Sequence, residues 1–202
     1  MEKQPRLTSR QIQAQKTKRR IFNAAFDLLQ EMDIDEIKIA DIVKASGVCV
    51  GTFYHYYKTK WDVFYESFQL LDDYYEEKVA PNLTQPHIKD RLLYFFTQYI
   101  IYHGDEHAAN YLRTIFSTTN PVFMRSLYAD YGYGMLCILR ETLQQAITDG
   151  QIITDESVVD IAAFFMMSFR GLIFDWCARD GSYDIYAALD YHISHLLRIY
   201  QN

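Results

Sequence analysis

The chain has 202 residues, half of them hydrophobic, with a formal net charge of −6 and three cysteines, Cys49, Cys137 and Cys177. That length fits one small domain plus one medium domain, and the apolar share suffices for a sizeable core. A charged amino terminus without an apolar run argues against a signal peptide, and three distant thiols argue against a disulfide framework, so a cytoplasmic chain is expected.

The net charge conceals a split. Residues 1–60 hold 11 Lys/Arg and 7 Asp/Glu, a balance of +4, while residues 61–202 hold 9 and 19, a balance of −10. A basic head on an acidic body suits a nucleic-acid-binding domain joined to a domain with another task.

Residues 1–7 read as an arm carrying Lys3 and Arg6. Thr8 with Gln11 predicts a capping box that opens a helix to about Glu31. Ile21, Phe22, Ala25, Phe26, Leu28 and Leu29 form its inward face, and Lys16, Lys18, Arg19 and Arg20 near its start are placed to reach phosphates. Next, Ile39, Ile42, Val43 and Ala45 or Ser46 give one face of a short helix. Gly47 supplies a turn that needs positive φ, and Val48 plugs the gap between helices. A second short helix covers Gly51–Tyr57. This is a helix-turn-helix pattern, in which side chains near the start of the second helix read bases and the flanks hold phosphates.

By position, Cys49, Val50, Gly51 and Thr52 face the groove, with Val50 suited to a thymine methyl. Lys38 and Lys44 add to the surface from the preceding helix, and His55 faces solvent or DNA. Phe53 and Tyr57 are expected in the core, and Tyr54 divides between a packed ring and an outward hydroxyl.

Trp61 to about Ala80 reads as a long fourth helix stopped by Pro81. Pro86 opens a helix over His87–His103, with Gly104 as its stop, and a shorter helix covers Glu106–Phe116. Asn120-Pro121 caps another that runs to about Asp149, interrupted by Gly132 and Gly134. Thr154 is expected to cap a helix to about Arg179, and Ser182 to open a last one to about Tyr200. No stretch alternates like a strand. The expectation is an all-α fold of about nine helices, with a helix-turn-helix DNA-binding domain over 1–60 and a ligand-binding and dimerisation domain over 61–202.

The second domain holds 26 of the 32 aromatic residues. Aromatic walls with a few carboxylates suit a flat or cationic lipophilic molecule, and the acidity of this domain tilts the expectation of a small lipophilic or aromatic ligand slightly toward a cationic one. The expected lining comprises Phe68, Tyr75, Tyr99, Tyr102, Phe116, Phe123, Tyr131, Met135, Phe169 and Trp176, with Asp72, Asp175 and Arg170 as polar anchors. Two apolar helices near the end would overfill one small core, so a homodimer is expected. Phe164, Phe165, Phe169, Leu172 and Phe174 would supply its area, Ser168 and Gly171 its close approach, and His192 and Leu196 the matching stripe on the last helix. The apolar run Ile161–Ala178 carries Arg170 and Asp175 and is read as this interface helix, not as a membrane span.

No metal site or cofactor is expected. Gly104 and Asp105 break the helix between His103 and His107, and His192 and His195 lack a third ligand. No catalytic motif is present, and the paired acids Asp72-Asp73 and Glu76-Glu77 read as a solvated helix face.

The run Ile39-x-x-Ile42-Val43-x-x-Ser46-Gly47-Val48-Cys49-x-Gly51-Thr52-Phe53-Tyr54-x-Tyr56-Tyr57-x-x-Lys60, with Ile21-x-x-Ala24-Ala25-x-x-Leu28-Leu29 upstream, resembles the TetR family of bacterial transcriptional regulators. The chain departs from the family pattern at Cys49, where Ser is usual, at Lys38, where Thr is common, and at Met32-Asp33, where a Gly is usual. The resemblance implies that Tyr54, Tyr56 and Lys60 hold phosphates and that the last two long helices form the dimer. It implies a repressor released from a palindromic operator by a small molecule. The alternatives are a regulator controlled by a protein partner or by no ligand, and a small-molecule-binding protein with a degenerate head.

Overall fold

The computed structural model describes residues 8–29, 31–103 and 133–200. Among them are eight α-helices and no strand. They are α1 (Ser9–Leu28), α2 (Ile39–Ser46), α3 (Val50–Tyr56), α4 (Lys60–Tyr74), α5 (Ile88–His103), α6 (Tyr133–Thr148), α7 (Val158–Ala178) and α8 (Ile185–Leu197). None of the helices described is long and apolar enough to cross a membrane.

The expected capping box opens α1. The Thr8 N–H donates to Gln11 Oε1 at 2.8 Å and the Gln11 N–H donates to Thr8 Oγ1 at 3.3 Å. Ile21, Ala24 and Ala25 form its buried stripe. At α4, Thr59 is the N-cap, and Asp62 Oδ2 accepts the N–H groups of both Lys58 and Thr59 at 2.8 Å. The fourth helix is not uniform to Ala80. Its α-helical part ends at Tyr74, a π-turn covers Tyr75–Val79, and a 3₁₀ turn over Ala80–Asn82 contains Pro81. Proline lacks the N–H that would extend the ladder.

Three expected helix starts move. Helix α5 begins at Ile88, because Gln151 reaches across the fold to accept the Ile88 N–H at 2.7 Å and donate to the Pro86 carbonyl at 3.0 Å. Ser157, not Thr154, caps α7, accepting the Asp160 N–H at 3.2 Å, while Thr154 Oγ1 takes the Glu156 N–H in a local turn. Asp184, not Ser182, caps α8 by accepting from Tyr186 and Ala187, and α8 stops at Leu197, short of Tyr200.

One apolar cluster runs from Ile21 in the head to Tyr200 in the body. Helix α4 carries it across. Phe64 meets Phe26 of α1 at 5.8 Å, and Tyr75 meets Phe95 of α5 at 4.9 Å while its hydroxyl donates to the Phe95 carbonyl. The boundary expected at 60/61 therefore falls at the base of a helix that serves both halves. At its far end α4 crosses α6, where Asp72 Oδ1 accepts the Met135 N–H at 3.0 Å. A Cβ on Gly134 would lie 3.0 Å from Glu76 Oε1 and 3.3 Å from the Asp72 Cβ, so a larger residue at this crossing would have to displace the Glu76 and Asp72 side chains by a few tenths of an ångström. Phe96 of α5 packs on Phe169 of α7 at 4.4 Å. The expected helix over Glu106–Phe116, the Asn120-Pro121 start, Gly132, and the stretch from Gly104 to His107 lie outside the described residues.

Candidate nucleic-acid interface and effector domain

Helices α2 and α3 form the reading unit. Ile42 is buried, and Ile39 and Val43 are half-buried against the core. Gly47 closes α2 at φ 64° and ψ 27°, the left-handed C-cap that a side chain would strain. Lys38 is the N-cap residue of α2, and its N–H donates to Asp41 Oδ2 at 2.9 Å. Cys49 is the N-cap residue of α3. Its exposed Sγ lies 3.0 Å from Thr52 Oγ1, and hydrogen bonding by Thr52 lowers the thiol's pKa.

Phe53 is fully buried and Tyr57 nearly so, which anchors α3 by its inner face. That leaves Val50 53% and Tyr54 54% exposed, with Gly51 open beside them. Lys44 and His55 are also exposed, Thr52 and Tyr56 are half-buried, and the Tyr56 ring sits edge-on to His55 at 4.9 Å. The arrangement presents an apolar methyl group, an open backbone and several hydroxyls on the outer side of one short helix. Those groups suit a thymine methyl and phosphate oxygens.

Lys60 does not belong to that surface. Its ammonium donates to the carbonyls of Ile34, Asp35 and Ile37 at 2.7, 2.8 and 2.7 Å, and lies 4.7 Å from the Trp61 ring centroid. An ammonium has three protons, and all three are engaged in holding the loop between α1 and α2. Burial lowers its pKa. The family resemblance implied a phosphate role for it, and the three carbonyls that hold it instead lie more than 20 residues away in the chain. Sequence reasoning also passed over Glu66 of α4. The Glu66 carboxylate accepts the Tyr57 hydroxyl at 2.5 Å and pairs with Lys18 of α1 at 3.0 Å, tying α1, the end of α3 and α4 together. Burial and this carboxylate raise the Tyr57 pKa far above its usual value.

The residues expected to line an effector pocket are placed unevenly. Phe68, Tyr75, Tyr99, Met135, Phe169 and Trp176 are all buried in the body's core. Tyr99 packs edge-on to Phe169 at 5.3 Å, and Trp176 Nε1 donates to the Tyr183 carbonyl at 3.1 Å. Asp72 is half-buried and spends an oxygen on α6. Tyr102 is half-buried, 5.0 Å from the Tyr74 ring. Asp175 is not a pocket anchor: it is exposed, pairs with Arg179 at 3.0 Å and accepts from the Tyr183 hydroxyl. Phe116, Phe123 and Tyr131 lie outside the described residues. His103 is held neutral by burial, with its pKa lowered to about 3. Among the described residues no group of three His, Cys, Asp or Glu side chains could hold a metal ion.

On α7, Phe165 and Phe169 point into the chain's own core and add nothing to an outer face. Phe164, Ser168 and Leu172 are half-buried, Gly171 is open, and Met167 is 62% exposed. On α8, His192 and Leu196 are half-buried and Tyr191 is 66% exposed. Together they form an apolar outer face on the last two helices.

Residues 21–66 match the family model described as bacterial regulatory proteins, tetR family. The whole chain is similar in fold to the fatty acid degradation regulator FadR from Bacillus halodurans, with TM-score 0.77, 19% identity, and 98% of this chain and 97% of that one covered. FadR from Bacillus subtilis, solved in complex with stearoyl-CoA, has TM-score 0.76 and 21% identity over 89% of this chain and 97% of that one. FadR from Thermus thermophilus, a TetR family transcriptional repressor solved with lauroyl-CoA, has TM-score 0.68 and 22% identity over 89% and 93%.

Proposed function

We propose that this chain, whose residues 21–66 match the model for bacterial regulatory proteins of the tetR family, is a TetR-family homodimeric repressor released from a palindromic operator by a lipophilic effector. The observation that carries the reading is the outer side of α3: Val50, Gly51 and Tyr54 are exposed over a helix whose other side is locked by Phe53 and Tyr57. A short helix held by its core side chains and open at its start can enter a major groove. Cys49, Val50, Gly51 and Thr52 read bases, while Tyr54, Tyr56, His55, Lys38 and Lys44 contact the backbone. Lys60 sets the loop beneath them.

A half-site reader of this size gains affinity and symmetry by pairing. The outer face of α7 and α8, with Phe164, Ser168, Gly171, Leu172, His192 and Leu196, is the proposed dimer surface. The effector acts by binding one arrangement of the body more tightly than another. The FadR proteins solved with stearoyl-CoA and lauroyl-CoA make an acyl thioester the first effector to try. An acyl chain entering among Phe68, Tyr75, Tyr99, Met135 and Phe169 would part contacts such as Phe96–Phe169, and α4 would pass the shift to the head.

Selection of the purified protein on random duplex DNA at a fixed salt concentration tests the reading. A palindrome with half-sites one helical turn apart, or a multiple, is the expected product. Recovery of nothing above the salt-sensitive background defeats it.

A further inference from the structure

Helix α1 carries two stripes. Ile21, Ala24 and Ala25 face the core of the head. Ile12, Lys16, Arg19 and Phe22 recur three and four residues apart on another side and line an open groove. Across it stand Glu66 and Leu70, one turn apart on α4, and Tyr102 at the end of α5. The groove has a volume of about 800 Å³, within the range of small-molecule sites.

Its chemistry is two-sided. Lys18 is spent on Glu66 at 3.0 Å, which neutralises the groove's carboxylate. Among the described residues, Lys16 and Arg19 have no ion pair. A chain of net charge −6 thus holds two uncompensated cations at the mouth of one groove. Beside them the wall is apolar: Phe22 is fixed by stacking on Phe26 at 4.3 Å, and Leu70 is an exposed leucine. A cationic amphiphile would be repelled, and a bare inorganic anion would leave the apolar wall wet.

We propose that the groove between α1 and α4 binds the anionic head of an amphiphile, with Lys16 and Arg19 holding the anion and Phe22, Leu70 and Tyr102 covering the adjoining alkyl part. The proposal rests on the effector reading above, since it places one end of that effector. It also gives the effector a direct grip on the head. The molecule would touch α1, which carries the head's core, and α4 and α5, which belong to the body. Any change in the spacing of α1 and α4 then alters its contacts, which is the differential affinity a switch needs.

Titration calorimetry of the full chain with lauroyl-CoA and, separately, with sodium laurate tests this. Lys16→Gln combined with Arg19→Gln is expected to weaken the wild-type affinity by about tenfold or more and to flatten its salt dependence. Arg10→Gln, on the same helix outside the groove, is expected to change neither. Because all three side chains are largely solvent-facing, melting curves are expected to stay in place and confirm folding. Tighter binding of lauroyl-CoA than of laurate would assign the anion to phosphates, tighter binding of laurate would assign it to a carboxylate, and equal binding would mean that the two cations take either anion. An unchanged affinity in the double variant overturns the site even if lauroyl-CoA releases operator, leaving the regulator reading intact. Failure of both probes to bind wild-type protein that selects an operator also overturns it. Loss of operator affinity by the double variant without any probe assigns the two cations to DNA and overturns it too. Probe binding that depends on both cations in a protein that selects no DNA sustains the site while the regulator reading fails.

Discussion

Lys60→Met separates a structural lysine from a phosphate-binding one. The substitution keeps an unbranched side chain and removes the ammonium, so three carbonyl acceptors lose their donor and the Trp61 ring loses its cation. Hydrogen bonds to a charged group contribute about 1.5–3 kcal/mol each. The Asp35 bond is exposed and its carbonyl can rehydrate, while the Ile34 and Ile37 bonds are part-buried. Counting only those two at the low end gives a loss of about 3 kcal/mol. In a chain of this size each kcal/mol lowers Tm by about 2–4 °C, so a drop on the order of 6–12 °C is expected. Operator affinity, measured by fluorescence anisotropy well below the new Tm, is expected to stay within about twofold, with an unchanged salt slope. Circular dichroism melting gives the first quantity and a salt series the second. If Tm moves by less than about 2 °C while affinity falls and the salt slope shrinks by about one, Lys60 is a phosphate contact and the reasoning is refuted.

Two further outcomes follow from the body. Met167→Glu places a carboxylate at the centre of the outer α7 face, so that each copy would oppose its mate with like charge. Such a juxtaposition costs several kcal/mol, and the dimer dissociation constant is expected to rise by about 100-fold or more by analytical ultracentrifugation. A dimer that persists unchanged at micromolar concentration would move the interface elsewhere. Asp72 supplies a pH test. Burial raises its carboxyl above the usual aspartate range against the opposing N–H of Met135, with Glu76 and Asp73 adding in the same direction as burial. A carboxyl raised on folding favours the folded state most when protonated, and that advantage is lost as the pH climbs through the raised value. Asp72→Asn keeps an acceptor for the Met135 N–H without the charge. It is expected to melt above wild type at pH 7, with the gap closing as the pH approaches about 3.9 and below. A lower Tm at pH 7 would mean that the charged form stabilises the crossing.

The local features were legible in the chain itself. Thr8 with Gln11, Gly47 at the turn, and the apolar spacing of Ile39, Ile42 and Val43 act through neighbours within four residues, and side-chain type and order determine them. The same is true of the buried Phe53 and Tyr57. Where two local choices were equally good, packing decided. Thr154 and Ser157 can both cap, and Ser157 does so while Thr154 closes the turn before it.

What the tertiary structure alone decided depends on distances between residues far apart in sequence. Lys60 reads as a phosphate ligand until three carbonyls from another loop surround it. Gln151 and Asp72 look like surface polar residues until each accepts a backbone N–H 63 residues away. An amphipathic period shows that α7 has apolar sides, but not which side its own chain consumes, and here Phe165 and Phe169 turn inward while Met167 stays outside. The groove of Lys16 and Arg19 exists only because α1, α4 and α5 converge there. Periodicity fixes a residue's bearing on its own helix, whereas a site needs the separation between helices, and only the packed core sets that.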